Sequence, residues 1–182
     1  MDLTGPYPKL TDADSVYAIK EYSEQMAAKV AAAVAKLPQG VVAKALPTTS
    51  TSGLTAQTVV ANVKNVSFVA GRAYLIKWNT NFYVDSVSDT FAFGLARANN
   101  GDSDTSIANM TEIKSLTDRA SASGEGRNKI LEAYFFPTAA QAGVQQVKAW
   151  VQRVVGNNGN IYITANASNP NQLIIEDKGL VA

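Results

Sequence analysis

The chain has 182 residues, with 16 Lys and Arg against 15 Asp and Glu for a formal charge of +1. That length holds one main core and an appendage, and the balance supplies no chain-wide field for nucleic acid or an anionic membrane. There is neither Cys nor His, which removes disulfides, thiolate nucleophiles, thiolate zinc sites and the imidazole of most acid–base constellations. Carboxylate, Ser–Lys and Tyr chemistry stays open, but the composition points to a protein that is not an enzyme and carries no cofactor.

Residues 1–10 hold Gly5, Pro6 and Pro8 with Tyr7 and Leu10 between them. This composition favours an extended arm, and Tyr7, Pro8 and Leu10 are its docking candidates; a frayed terminus is the alternative. The opening residues lack a secretory pattern, so synthesis in a cytoplasm is expected. The apolar stretch 27–37 is broken by Lys29 and Lys36 and is too short to span a bilayer.

Segment 11–38 reads as one long helix. Thr11 is the N-cap, Asp14 stands three residues on, and Pro38 and Gly40 are the stop, which predicts helix over 12–37. Val16, Ile19, Ser23, Met26, Val30, Ala33 and Leu37 follow at alternating spacings of 3 and 4. This is a heptad seam in which Val16, Ile19, Met26, Val30 and Leu37 are the oligomer contacts. Tyr22, Ala27, Ala31 and Val34 widen the stripe, which predicts three helices about an axis or a helix laid on a sheet. Packing on the chain's own core is the alternative.

Residues 39–57, with Pro38 just before them and Gly40, Pro47, Gly53 and a Thr/Ser run within, read as a linker. From 58 to 182 the apolar period becomes 2. Val59, Ala61 and Val63 share a face, as do Tyr74, Ile76 and Trp78, and Phe91, Phe93 and Leu95 form an inward row. Residues 130–136 are apolar on both faces and predict a central strand. The row Val147, Ala149 and Val151 is expected to form a hairpin with Ile161, Tyr162 and Ile163 across the Asn/Gly turn at 156–160. Leu173, Ile174 and Ile175 begin a last strand. The pattern predicts a mainly β fold, an antiparallel β-sandwich of jelly-roll type, preceded by the arm and the helix. Residues 99–106 and 117–127 are expected as loops at its ends.

Candidate chemistry is sparse. Residues 100–106 bring oxygen ligands to alternate positions, as in a calcium loop, but the glycine is misplaced and Thr111 stands where a bidentate Glu is required; a solvated turn is the simpler reading. The loop at 124–129 lacks phosphate-loop spacing. Asp85, Asp89, Glu112 and Asp118 offer carboxylates for glycoside hydrolysis or simply rim charges. Among Tyr74, Trp78, Phe82, Tyr83 and Trp150, the pair Phe82–Tyr83 has polar neighbours and is the candidate ligand-facing site, with a host glycan as the possible ligand.

The arm Pro6-Tyr7-Pro8-Lys9-Leu10-Thr11-Asp12, the helix segment Glu21-Tyr22-Ser23-Glu24-Gln25-Met26-Ala27 and the closing Leu173-Ile174-Ile175-Glu176-Asp177-Lys178-Gly179 together resemble small accessory virion proteins of tailed bacteriophages, those of actinobacterial hosts in particular. Such proteins are minor tail proteins, head fibres or capsid decoration proteins. The resemblance implies a non-enzymatic homotrimer whose arm and helix dock on the major capsid protein or on tail proteins of the same particle while the sandwich projects. It implies a place in the virion, on the capsid surface or in the tail. Lys178 and Leu180 depart from the expected closing pattern.

Overall fold

Alternation of apolar and polar residues governs the chain from Gly40 onward. The computed structural model describes residues 15–86, 89–119, 123–124, 126–156 and 159–181. The arm candidates Tyr7, Pro8 and Leu10 and the expected helix start at 11–14 lie outside them. The chain divides into two compact units between Leu37 and Pro38.

The first unit contains helix α1, Ser15–Val34. It stops short of the expected residue 37. Lys36 N–H donates to Ala33 O at 3.1 Å and Leu37 N–H to Val34 O at 3.0 Å, the tighter spacing of a closing turn. Pro38 prevents the residue before it from continuing the helix.

The second unit holds nine strands among the described residues: β1 Gly40–Ala45, β2 Thr58–Phe68, β3 Arg72–Val84, β4 Thr90–Asn99, β5 Thr111–Arg119, β6 Arg127–Phe135, β7 Gly143–Val155, β8 Ile161–Thr164 and β9 Gln172–Leu180. They pair antiparallel in two sheets, ordered β1-β9-β3-β6 and β2-β7-β4-β5. β8 lies on the same edge of β3 as β9, opposite Asn81 to Val84, where β9 has ended. Successive strands from β1 to β4 switch sheet each time, the interlocked order of a jelly roll.

Four sequence expectations are corrected here. The supposed linker 39–57 contributes β1, which pairs with β9; its short apolar run is hidden between Gly40 and Pro47. The expected hairpin does not form, because both edges of β7 are already taken by β2 and β4, and β8 pairs with β3 in the other sheet instead. β6 is terminal in its sheet, not central: Leu131, Ala133 and Phe135 face the core, while Ile130, Tyr134 and Phe136 are exposed. The second expected loop is partly strand, since β5 runs to Arg119.

The core is the meeting of the two inward rows. Tyr74, Ile76 and Trp78 of β3 face Phe91, Phe93 and Leu95 of β4, all essentially buried. Trp78 and Phe93 lie 6.0 Å apart, Phe82 and Phe93 4.8 Å. The indole N–H of Trp78 donates to Asn171 Oδ1 at 2.6 Å, as a buried donor requires. Arg72 and Asp177 form a buried bidentate pair at 2.8 and 3.0 Å beside the register shift where β9 meets β3.

Candidate functional site

The sequence-predicted residues fall into three places. On α1, Ile19 and Val30 are each more than half exposed and Met26 is half-buried; Leu37, in the turn after the helix, is also more than half exposed. Val16 belongs to the helix, but its side chain lies outside the described residues. A 20-residue helix with an uncovered apolar stripe is marginal in water by itself.

The proposed ligand-facing pair is split. Phe82 is buried against Phe93 and is core, a correction that follows from strand alternation: it shares the inward face of Thr80 and Val84. Tyr83 points outward and stacks on Tyr162, with ring centroids 4.5 Å apart and planes 2° from parallel. Beside this pair Asp85 accepts hydrogen bonds from Asn160 N–H at 2.6 Å, Asn160 Nδ2 at 2.8 Å and the Tyr162 hydroxyl at 3.0 Å. These donors, Asn160's side chain foremost, hold the Asp85 carboxyl below its usual range, and the bond to Asp85 pushes the Tyr162 hydroxyl up.

The other candidate carboxylates are engaged separately. Asp89 is buried and accepts from Gly159 N–H at 2.6 Å; Glu112 accepts from Ser115 at 2.7 Å and Asp118 from Lys129 at 2.8 Å. Among the described residues no cluster of three metal-ligating His, Cys, Asp or Glu side chains occurs, and no helix is long and apolar enough to cross a membrane.

Two features escaped sequence reasoning. The first is the outer face of β6 and the residue just past its end, where Ile130, Tyr134 and Phe136 are all over half exposed and the rings of Tyr134 and Phe136 lie 6.2 Å apart. Their order in the chain was legible; that they stay exposed was not. The second is the segment 99–110, which lies over the outer face of the β2-β7-β4-β5 sheet. Lys148, outward on β7, is fully buried beneath it and donates to the carbonyls of Ser103 and Ser106. Burial pushes this ammonium's pKa down, while Asp102 and Asp104 oppose the shift. Trp150, two residues on, lies across Gly94 and packs with Ala92, Ala96 and Met110.

No family model matches the chain, and no curated protein matches it. Among solved structures it is similar to murine APRIL at pH 8.0, with a TM-score of 0.46 and 13% identity over 76% of this chain and 98% of that one. A second is infectious bursal disease virus, Gt strain, with a TM-score of 0.45 and 7% identity over 80% of this chain and 38% of that one. Eiger TNF from S. frugiperda gives a TM-score of 0.40 and 12% identity over 79% of this chain and 96% of that one.

Proposed function

We propose that this chain is a non-enzymatic bacteriophage virion protein, a homotrimer that decorates the capsid or forms part of the tail. Its arm and helix hold the particle, and the jelly roll is displayed. The observation that carries this reading is the heptad stripe of α1, exposed at Ile19 and Val30 and continued by Leu37 just past the helix, which three sister helices would bury against one another. The exposed apolar residues Ile130 and Tyr134 on β6 and Phe136 just past it support the same reading, since exposed apolar rows mark contact surfaces.

The attachment partner is the major capsid protein or a tail protein of the same particle, reached by Tyr7, Pro8 and Leu10. Three linked arms hold more tightly than one because the second and third bind at high effective concentration. With no charge excess, neither nucleic acid nor membrane is a partner. The protein is made in the host cytoplasm and resides in the virion.

The test has two parts. Replacing Met26 and Val30 by Asp is expected to give monomers by light scattering, and an unchanged trimer mass ends the seam. Gold-labelled antibody on intact particles is expected to mark head or tail; absence from purified particles ends the virion reading.

A second reading is recognition of a host glycan at a tail tip or fibre. The stacked pair Tyr83–Tyr162 beside Asp85 and Asn160 favours it, since an aromatic surface next to polar groups is what a sugar ring needs. Glycan-array binding lost on Tyr83→Ala supports this reading, and no binding by the wild-type trimer removes it.

A further inference from the structure

Beneath segment 99–110 lies a buried ammonium of the chain itself, that of Lys148. Lys148 has no exposed surface, yet its Nζ donates to Ser103 O at 2.8 Å and to Ser106 O at 2.7 Å. Gln146 lies on the same face of β7 and is equally buried. Its Nε2 donates to Asn99 O at 2.6 Å and Asp102 O at 3.0 Å. Asn62 is directly opposite Lys148 in the β2–β7 register. Asp104, further along the segment, pairs with Lys64 of β2.

Three buried oxygens on these residues, Asn62 Oδ1, Gln146 Oε1 and Asp102 Oδ2, have no hydrogen-bond partner among the described residues. A buried acceptor left without a donor is costly. That such atoms occur on the register partner, the strand neighbour and the overlying loop of one buried ammonium points to a common occupant. An ammonium has three N–H donors, and Ser103 and Ser106 take two.

We propose that segment 99–106 is a cation cage whose cation is the Lys148 ammonium, and that bound water relays its third N–H to the orphaned oxygens. A water that accepts from Nζ can donate to two of them. The set of carbonyls, carboxamides and a carboxylate is the hard oxygen set that suits Ca²⁺. Here a tethered charge occupies the centre, so the loop closes without a free metal. This explains why residues 100–106 look like a calcium loop in sequence but lack its glycine and closing Glu. The like charge of Lys148 also excludes a second cation.

The test uses the full chain labelled with ¹⁵N-lysine. One ammonium resonance is expected to resist hydrogen exchange at neutral pH, to show cross-relaxation with bound water, and to disappear in Lys148→Met. Calcium and EDTA are expected to leave it unmoved. In Lys148→Met, proteolytic cleavage within 99–110 should accelerate roughly tenfold or more, the factor set by losing charge-assisted bonds to buried carbonyls. Three results each overturn the proposal: no protected ammonium in the wild-type spectrum, calcium binding that perturbs residues 99–106 in the wild type, or a Lys148→Met loop as protected as the wild type. The first two need no variant, so a misfolded Lys148→Met leaves the test intact.

Discussion

Gly94 shows how one missing side chain shapes a surface. It lies opposite Trp150 in the β4–β7 register, and a Cβ there would stand 2.1 Å from the indole Cε2. Gly94→Ala must therefore lift the ring from its seat over Ala92 and Ala96. The expected loss is about 1–3 kcal/mol by urea unfolding, with a shifted tryptophan emission. The Arg72–Asp177 pair makes a sharper prediction. Both side chains are nearly fully buried, so Arg72→Met strands a carboxylate and should cost about 3–5 kcal/mol, while Arg72→Met with Asp177→Leu recovers much of it. Asp85 adds a pH dependence. Its carboxyl is held below the usual value by Asn160 and then Tyr162, so the unfolded chain binds its proton at a higher pH than the folded one. Its contribution is complete above the unfolded value and is lost as pH falls through the lowered one. The Asn160 amide should lose exchange protection in that acid window, and Asp85→Asn should flatten the profile.

At the level of elements, the inward rows were legible because a strand with one buried face must alternate. Tyr74-Ile76-Trp78 and Phe91-Phe93-Leu95 needed no tertiary information. What was hidden depended on which strand lies beside which. β1 was obscured by flanking Gly40 and Pro47, and β6 looked central because Ile130, Tyr134 and Phe136 are as apolar as the buried row between them. Nothing local records that a partner sheet covers one row and leaves the other open. The cage at Lys148 was equally concealed: Gln146 and Lys148 fit an ordinary solvent face, and Trp150 in the same row was the one sign that the face is covered. The exposed row makes its own prediction. Tyr134→Lys with Phe136→Lys should leave unfolding stability nearly unchanged, because both are surface residues, and should weaken self-association by sedimentation velocity. A large loss of stability would place these rings in the fold's own core.

At the scale of the molecule, the β unit is built on its own buried rows, whereas α1 presents an apolar stripe exposed at Ile19 and Val30. Among the described residues, every strand from β1 to β9 is hydrogen-bonded to another strand of the β unit. The central claim is that residues before Pro38 are an assembly element. Light scattering on the full chain and on a chain beginning at Pro38 tests it most directly, with circular dichroism to show that both fold. The expected result is a trimer for the full chain and a folded monomer, or a much weaker oligomer, for the shortened one. A full chain that stays monomeric at high concentration, or a shortened chain that forms the same trimer with equal stability, would contradict it.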